Sequence, residues 1–179
     1  DIHKKNEIHG DIRPENINWD SKAKICELAE PVTTEKQLSS LDRARLPYIS
    51  PEQTGRMNRH VDYRTDFYSL GVVFYELITG NPPCVSEDPP EIIHSHIAKK
   101  PLPICELNSE VPIQISRIVM RLLEKNAEDR YQTAMGLRHD LKKCEELLAK
   151  KGAIEAFELG DSDSIGIFQI PQKLYGRKD

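Results

Sequence analysis

The chain has 179 residues, 38% hydrophobic and 30% charged, enough to bury one real core with the balance of an ordinary soluble domain. A formal net charge of −4 gives no electrostatic reason to expect nucleic acid or an anionic membrane as partner. No apolar run approaches the roughly 20 residues that a membrane helix needs, and Asp1 to Glu7 are charged where a signal peptide would be apolar, so a cytoplasmic protein is expected.

Residues Asp1 to Glu7 read as the end of a helix already under way, which predicts a fragment of a longer polypeptide. The polar segment His9 to Asn16 carries Pro14 and reads as a loop. Two short strands are expected next, Ile17 to Trp19 and Ala23 to Glu27, separated by Asp20, Ser21 and Lys22 as in a tight hairpin. From Leu28 to Arg64 there is little periodicity, and a stretch of that length inside a compact domain is usually functional or disordered. Its hydroxyls Thr33, Thr34, Ser39 and Ser40 are candidate phosphorylation sites, although loops are rich in such residues anyway.

Asp66 to Ile78, DFYSLGVVFYELI, is apolar on nearly every side and predicts a helix buried all round at the centre of the fold. Thr79, Gly80, Asn81 and two prolines stop it. Pro90 to Lys99 and Ile113 to Lys125 read as further helices, the second with Ile115, Ile118, Val119, Leu122 and Leu123 on one face. A last helix is expected from about Thr133 to Lys150, striped by Leu137, Leu141, Cys144 and Leu148 and stopped by Gly152. The small, polar and acidic composition that follows reads as a linker, which divides the chain into a domain at 1–150 and a linker with the threshold of another domain at 151–179. Cys26, Cys84, Cys105 and Cys144 stand apart without paired spacing, so reduced thiols are expected and neither a zinc site nor a disulfide framework. His94 and His96, two apart on a helix, would point to different faces and make a poor metal pair.

The chemistry concentrates in HGDIRPEN, His9 to Asn16: an aspartate, a cation two residues on and an asparagine five residues on, in one loop. Phosphoryl transfer needs such a set, because it is mostly positioning and charge stabilisation. A carboxylate takes the attacking hydroxyl's proton, an amide oxygen and a second carboxylate hold magnesium, and a cation steadies the moving group. Asp11, Asn16 and Arg13 fit the first, second and last of these roles.

This loop resembles the catalytic loop of the protein-kinase family, HRD followed by an asparagine. Later landmarks arrive in the family's order: Ser50-Pro51-Glu52 resembles its APE triplet, Asp66 through Gly71 the start of its central helix, and TGNPP at Thr79 to Pro83 and Asp129-Arg130 its further marks. The resemblance implies a mainly α protein-kinase-like C-terminal lobe, with a short β-hairpin near the catalytic loop and the N-terminal lobe absent. It implies that Asp11 is the catalytic base and Arg13 the phosphate cation, and that His9 supports the loop. It further implies that Asp66 accepts backbone hydrogen bonds from that loop and that Glu52 pairs with Arg130. Magnesium would be held by Asn16 and by Glu27, which stands at the DFG aspartate in Glu27-Leu28-Ala29. ATP and Mg2+ are the implied cofactors, and both would need the small lobe, whose glycine-rich loop and lysine are not found in this sequence.

Departures from the family pattern also matter. Glutamate at 27 adds a methylene where a displacement of roughly 1 Å can cost about a hundredfold in rate, and Ala29 lacks a glycine's freedom. Gly10 replaces an arginine that receives activation-loop phosphate in many kinases, and Arg45 replaces a threonine that contacts the catalytic aspartate. The run from His9 to about Cys144, with PEQTGR its most specific phrase, is similar to the kinase-like module of large multidomain hybrid sensor histidine kinases. In that family an ATPase domain follows, whose entrance FQIPQKLYGRKD resembles. The expected function is ATP- and magnesium-dependent phosphoryl transfer to protein serine or threonine in the intact parent, this fragment being inactive alone. One alternative is a pseudokinase that scaffolds neighbouring ATPase, sensor and histidine kinase domains of the same polypeptide. Another is a small-molecule phosphotransferase, a class that lacks the SPE and SLGVVFYELITG landmarks.

Overall fold

The computed structural model describes residues 7–18 and 42–163, and the backbone of 24–25. The expected helix end at 1–6, the triplet Glu27-Leu28-Ala29, Cys26 and the hydroxyls at 33, 34, 39 and 40 lie outside the described residues. Among the described residues five helices carry the lobe: α1 (Arg64–Thr79), α2 (Pro89–Ala98), α3 (Ile104–Leu107), α4 (Ile113–Leu122) and α5 (Ala134–Lys151). Strands β1 (Ile17–Asn18) and β2 (Lys24–Ile25) pair antiparallel, Ile17 opposite Ile25 and Asn18 opposite Lys24. Among the described residues between hairpin and α1 lie two 3-10 turns, Arg43–Tyr48 and Pro51–Thr54, in a stretch whose sequence shows little period. Proline sits inside the first and opens the second, which favours short turns over an α-helix.

Helix α1 is the centre because its sides pack against different partners. Phe67 meets Ile118, Leu122 and Tyr131; Tyr68, Val72 and Tyr75 meet Ile104, Val119 and Leu123; Val73 meets Ile12 and Ile17 beneath the loop. Asp62 Oδ1 accepts from the Arg64 N–H at 2.9 Å to satisfy one open donor of the first turn, and Gly80 ends the helix at φ 82°, in the left-handed region. The burial expected all round holds for the first three turns only. Leu77, in the last turn, is 55% exposed, with no described element over it.

Gly71 sits where α1 crosses α4: a Cβ built there would lie 2.7 Å from Leu122 Cβ and 3.3 Å from the Leu123 side chain. Glycine inside a helix otherwise costs up to about 1 kcal/mol, so close approach explains it. Gly71→Ala is expected to destabilise the lobe by about 1–2 kcal/mol in urea unfolding, the overlap outweighing the gain in helix propensity. Helix α5 starts at Thr133, whose hydroxyl accepts from Gly136 N at 2.9 Å, and ends at Gly152, φ 69°. Its stripe is buried at Leu137 and Cys144, but Leu148 is 52% exposed, since the helix outruns the ten-residue α4 against which it packs.

Residues after Gly152, expected to be a linker, lie against the lobe as far as Asp163. Ile154, Phe157 and Leu159 pack onto the α4–α5 cluster. Polar ties reinforce them: Gln114 Nε2 donates to Phe157 O at 2.8 Å, Arg121 Nη1 to Leu159 O at 2.6 Å, and Gly160 N to Asp140 Oδ2 at 2.9 Å. Asp163 then accepts from the backbone N–H of Gln132 and of Thr133, both at 2.8 Å, at the foot of α5. Residues 154–163 thus form a strap on the lobe.

Buried polar groups pin α2 to the rest. His96 is fully buried between Tyr68 Oη at 3.0 Å and Leu46 O at 2.9 Å, while His94 is exposed. Because a carbonyl only accepts, His96 Nε2 donates to Leu46 and Nδ1 accepts from Tyr68, the neutral tautomer. Burial pulls its pKa down to about 4 from an ordinary 6.5, against the Leu46 hydrogen bond, and nearby Lys125 lowers it further. The unfolded chain takes a proton below 6.5 that the folded chain refuses until about 4, so this contribution to stability is lost progressively as pH falls through that window. Urea midpoints measured from pH 7 to 4 should therefore fall, and His96→Gln should flatten the upper part of that decline.

Candidate active site

The site is built on residues 9–16. His9 and Gly10 both donate their backbone N–H to the α1 carboxylate of Asp66, at 2.8 Å to Oδ2 and 3.0 Å to Oδ1. Asp66 is 2% exposed, so the first turn of the central helix holds the loop from below. His9, also 2% exposed, accepts from Asp11 N through Nδ1 at 3.3 Å and so braces the turn internally. Gly10 has φ 77°, a left-handed conformation that a residue without Cβ adopts freely.

Asp11 and Asn16 lie side by side. Asn16 Nδ2 donates to Asp11 Oδ2 and to Asp11 O, both at 2.9 Å. Its donors are thereby turned toward Asp11, and Oδ1, the atom able to ligate a hard cation, has no hydrogen-bond partner among the described residues. Arg13 Nε stands 3.3 Å from Asp11 Oδ2 without hydrogen-bonding geometry, a buried N–H left without an acceptor. An amide oxygen with no donor on it fits a magnesium ion, and an orphaned guanidinium N–H fits a phosphate oxygen. Glu27, the other expected magnesium ligand, is outside the described residues. No group of three or more His, Cys, Asp or Glu side chains placed to hold a metal occurs among the described residues.

Arg45 enters from the 3-10 turn. Its Nε donates to Asp11 Oδ1 at 2.8 Å and its Nη2 to Gly10 O at 3.4 Å. Both Asp11 oxygens therefore face donors. By resemblance Arg45 stands where a threonine contacts the catalytic aspartate, and here that contact is an ion pair to Asp11.

A second constellation fixes the end of the turn region. Glu52 and Arg130 form a forked pair, Nη1 to Oε1 at 2.7 Å and Nη2 to Oε2 at 2.8 Å, with Arg130 wholly buried and Glu52 4% exposed. Arg130 also donates to the carbonyls of Glu124, Lys125 and Arg64, and Thr65 Oγ1 donates to Glu52 Oε1 at 2.8 Å. Burial alone would raise the Glu52 carboxyl, but the Arg130 hydrogen bonds and charge outweigh it and hold it below its ordinary 4.5. Ser50 and Gln53 close a capping box over the same turn, a pattern the sequence carries as S-x-x-Q.

Comparison with known sequences decides what this arrangement is. The family described as "Protein kinase domain" matches residues 1–141. The chain belongs to the protein kinase family. A hybrid signal transduction histidine kinase G of Dictyostelium discoideum is 40% identical over 161 residues, covering 79% of this chain and 5% of that protein. The serine/threonine-protein kinase PknB of Mycobacterium leprae is 32% identical over 147 residues, 78% of this chain and 23% of PknB. A probable serine/threonine-protein kinase of Clostridium perfringens is 33% identical over 151 residues. The chain spans less than a quarter of the length of these relatives.

In this kinase lobe Asp11, Arg13 and Asn16 converge, with His9 and Asp66 beneath them, while Glu52 of the Pro51–Thr54 turn joins Arg130, which follows α4. Tyr131, Asp140 and the strap residue Gly160 were missed: Tyr131 Oη donates to Asp140 Oδ2 at 2.6 Å, but an aspartate within a helix reads as surface charge. The apolar residues at 154, 157 and 159 were the available signal. Among the described residues no helix is long and apolar enough to cross a membrane.

Proposed function

We propose that this lobe supplies the acceptor half of an ATP- and magnesium-dependent site that phosphorylates serine or threonine in proteins, within a cytoplasmic signalling polypeptide. The observation that carries the reading is the juxtaposition of the Asp11 carboxylate and the Asn16 amide at 2.9 Å on a loop hung from Asp66. The acceptor hydroxyl oxygen bonds to the γ-phosphorus, the bond from phosphorus to the β–γ bridging oxygen breaks, and ADP leaves with that electron pair. The hydroxyl proton passes to Asp11. Arg13 draws a phosphoryl oxygen to its unpaired Nε–H. Magnesium, when bound through Asn16 Oδ1 and Glu27, would neutralise phosphate charge. The nucleotide's remaining contacts would come from a small lobe elsewhere in the full-length protein.

The ion pair of Arg45 with Asp11 favours a second reading, a pseudokinase module that positions ATPase, sensor and histidine kinase domains of the same polypeptide. Calorimetric titration of the full-length protein with ATP separates them. Phosphotransfer requires binding that depends on Mg2+ and is lost in Asn16→Ala. An absence of nucleotide binding with and without Mg2+ would leave the scaffold.

A further inference from the structure

We propose that Arg45 is a displaceable plug on Asp11 that selects protein substrates with a carboxylate next to the accepting hydroxyl; this rests on the phosphotransfer reading of the same site. A base must lie within about 2.6–3.2 Å of the hydroxyl it deprotonates. Asp11 Oδ2 is held by Asn16 at 2.9 Å with Arg13 at 3.3 Å, and Oδ1 by Arg45 at 2.8 Å. Asn16 and Arg13 belong to the loop itself, so removing them dismantles the site. Arg45 comes from 34 residues away, on a turn whose first residues, Asp42 to Ala44, are exposed. It alone of the three can withdraw while the loop stays on Asp66. The turn does not leave with it, because Leu46 is buried and its carbonyl is bound by His96. Opening is therefore a side-chain movement.

A guanidinium taken off a carboxylate needs another anion. Arg45 is placed to find one: its side chain is 22% exposed, and Nη1 has no partner among the described residues. Arg13 and Arg45 place two guanidinium groups beside Asp11, so a carboxylate arriving at Asp11 meets cations there. A carboxylate beside the accepting serine or threonine meets the guanidinium in forked geometry while the hydroxyl takes over Asp11 Oδ1. A peptide without that carboxylate leaves Arg45 on Asp11.

Two fluorescent peptides with one serine, flanked by glutamate or by alanine, should be titrated into the full-length protein and its Arg45→Thr variant. Wild type should bind the acidic peptide about tenfold more tightly, the worth of a hydrogen bond to a charged group, and Arg45→Thr should erase the difference. Arg45→Lys, which keeps the charge and loses the fork, should retain only part of it and serves if the threonine variant fails to fold. An equal ratio of affinities in wild type and both variants would overturn the proposal. Phosphotransfer from ATP is read alongside: Arg45→Thr should speed the alanine peptide about tenfold. If neither peptide is phosphorylated while discrimination in binding persists, the transfer reading fails and Arg45 is left as a binder of acidic peptides, not a selector of substrates.

Discussion

Arg130→Met is expected to cost the lobe about 3–5 kcal/mol near neutral pH, because it leaves the Glu52 carboxylate buried without its cation. The size follows from how closed the site is. Arg130 is fully buried, spends its donors on Glu52 and on three carbonyls, and lies over the Tyr68 ring at 5.0 Å. The sign of the pH dependence distinguishes this cause from lost packing. In the natural chain Glu52 has a folded pKa below 4.5, so the pair's stabilisation is present above that pH and disappears as pH falls through the folded value. In Arg130→Met the buried carboxyl has no counter-ion, its folded pKa rises above 4.5, and acid should narrow the variant's deficit against the natural chain, His96 being common to both. Adding Glu52→Gln should recover part of the loss, since the buried charge disappears while the carbonyls of Glu124, Lys125 and Arg64 remain without their donor. Urea unfolding of both proteins followed by helical circular dichroism at pH 7 and pH 5 tests this: a smaller difference at pH 5 is expected, and an equal difference would point to lost packing.

Asp66→Ala should have the largest effect on the site that does not touch the reacting atoms. It removes the acceptor of two backbone N–H groups, His9 and Gly10, at a place 2% exposed. Each buried donor deprived of its partner costs about 1–3 kcal/mol, and the loop can recover part of that only by moving. A shift of roughly 1 Å at Asp11 is enough to lower turnover about a hundredfold. In the full-length protein kcat should fall by about that factor, with amide exchange at His9 and Gly10 accelerated and the exchange of α4 and α5 less affected.

Much of this was legible in the sequence, for identifiable reasons. The central helix was readable because residues 66–78 are apolar around the whole circumference, and α4 because Ile115, Ile118, Val119, Leu122 and Leu123 share a face. The order of HGD, SPE, the SLG helix and Arg130 pointed to the lobe. No local pattern could have joined Glu52 to Arg130, 78 residues apart; that expectation came from family resemblance. The 3-10 turns were not legible, since turns of that length have no period to detect and depend on prolines and a capping box. The contacts of residues 154–163 with the lobe were not foreseen, because the many acidic and small residues there outweigh the three apolar ones that, with Asp163, do the anchoring. Arg45 was legible, through the resemblance, as standing where a threonine contacts the catalytic aspartate; that it forms an ion pair depends on the tertiary fold that brings the turn over residue 11.

The central claim is that Asp11, propped by Asp66 and flanked by Asn16, accepts a proton from a protein hydroxyl. Transfer of labelled γ-phosphate from ATP to a protein substrate, by the full-length protein and its Asp11→Asn variant with Mg2+ present, tests it most directly. Asparagine keeps the shape and removes the base, so transfer should drop at least about a hundredfold while ATP affinity stays within a few-fold. Equal transfer by the two proteins would contradict the claim.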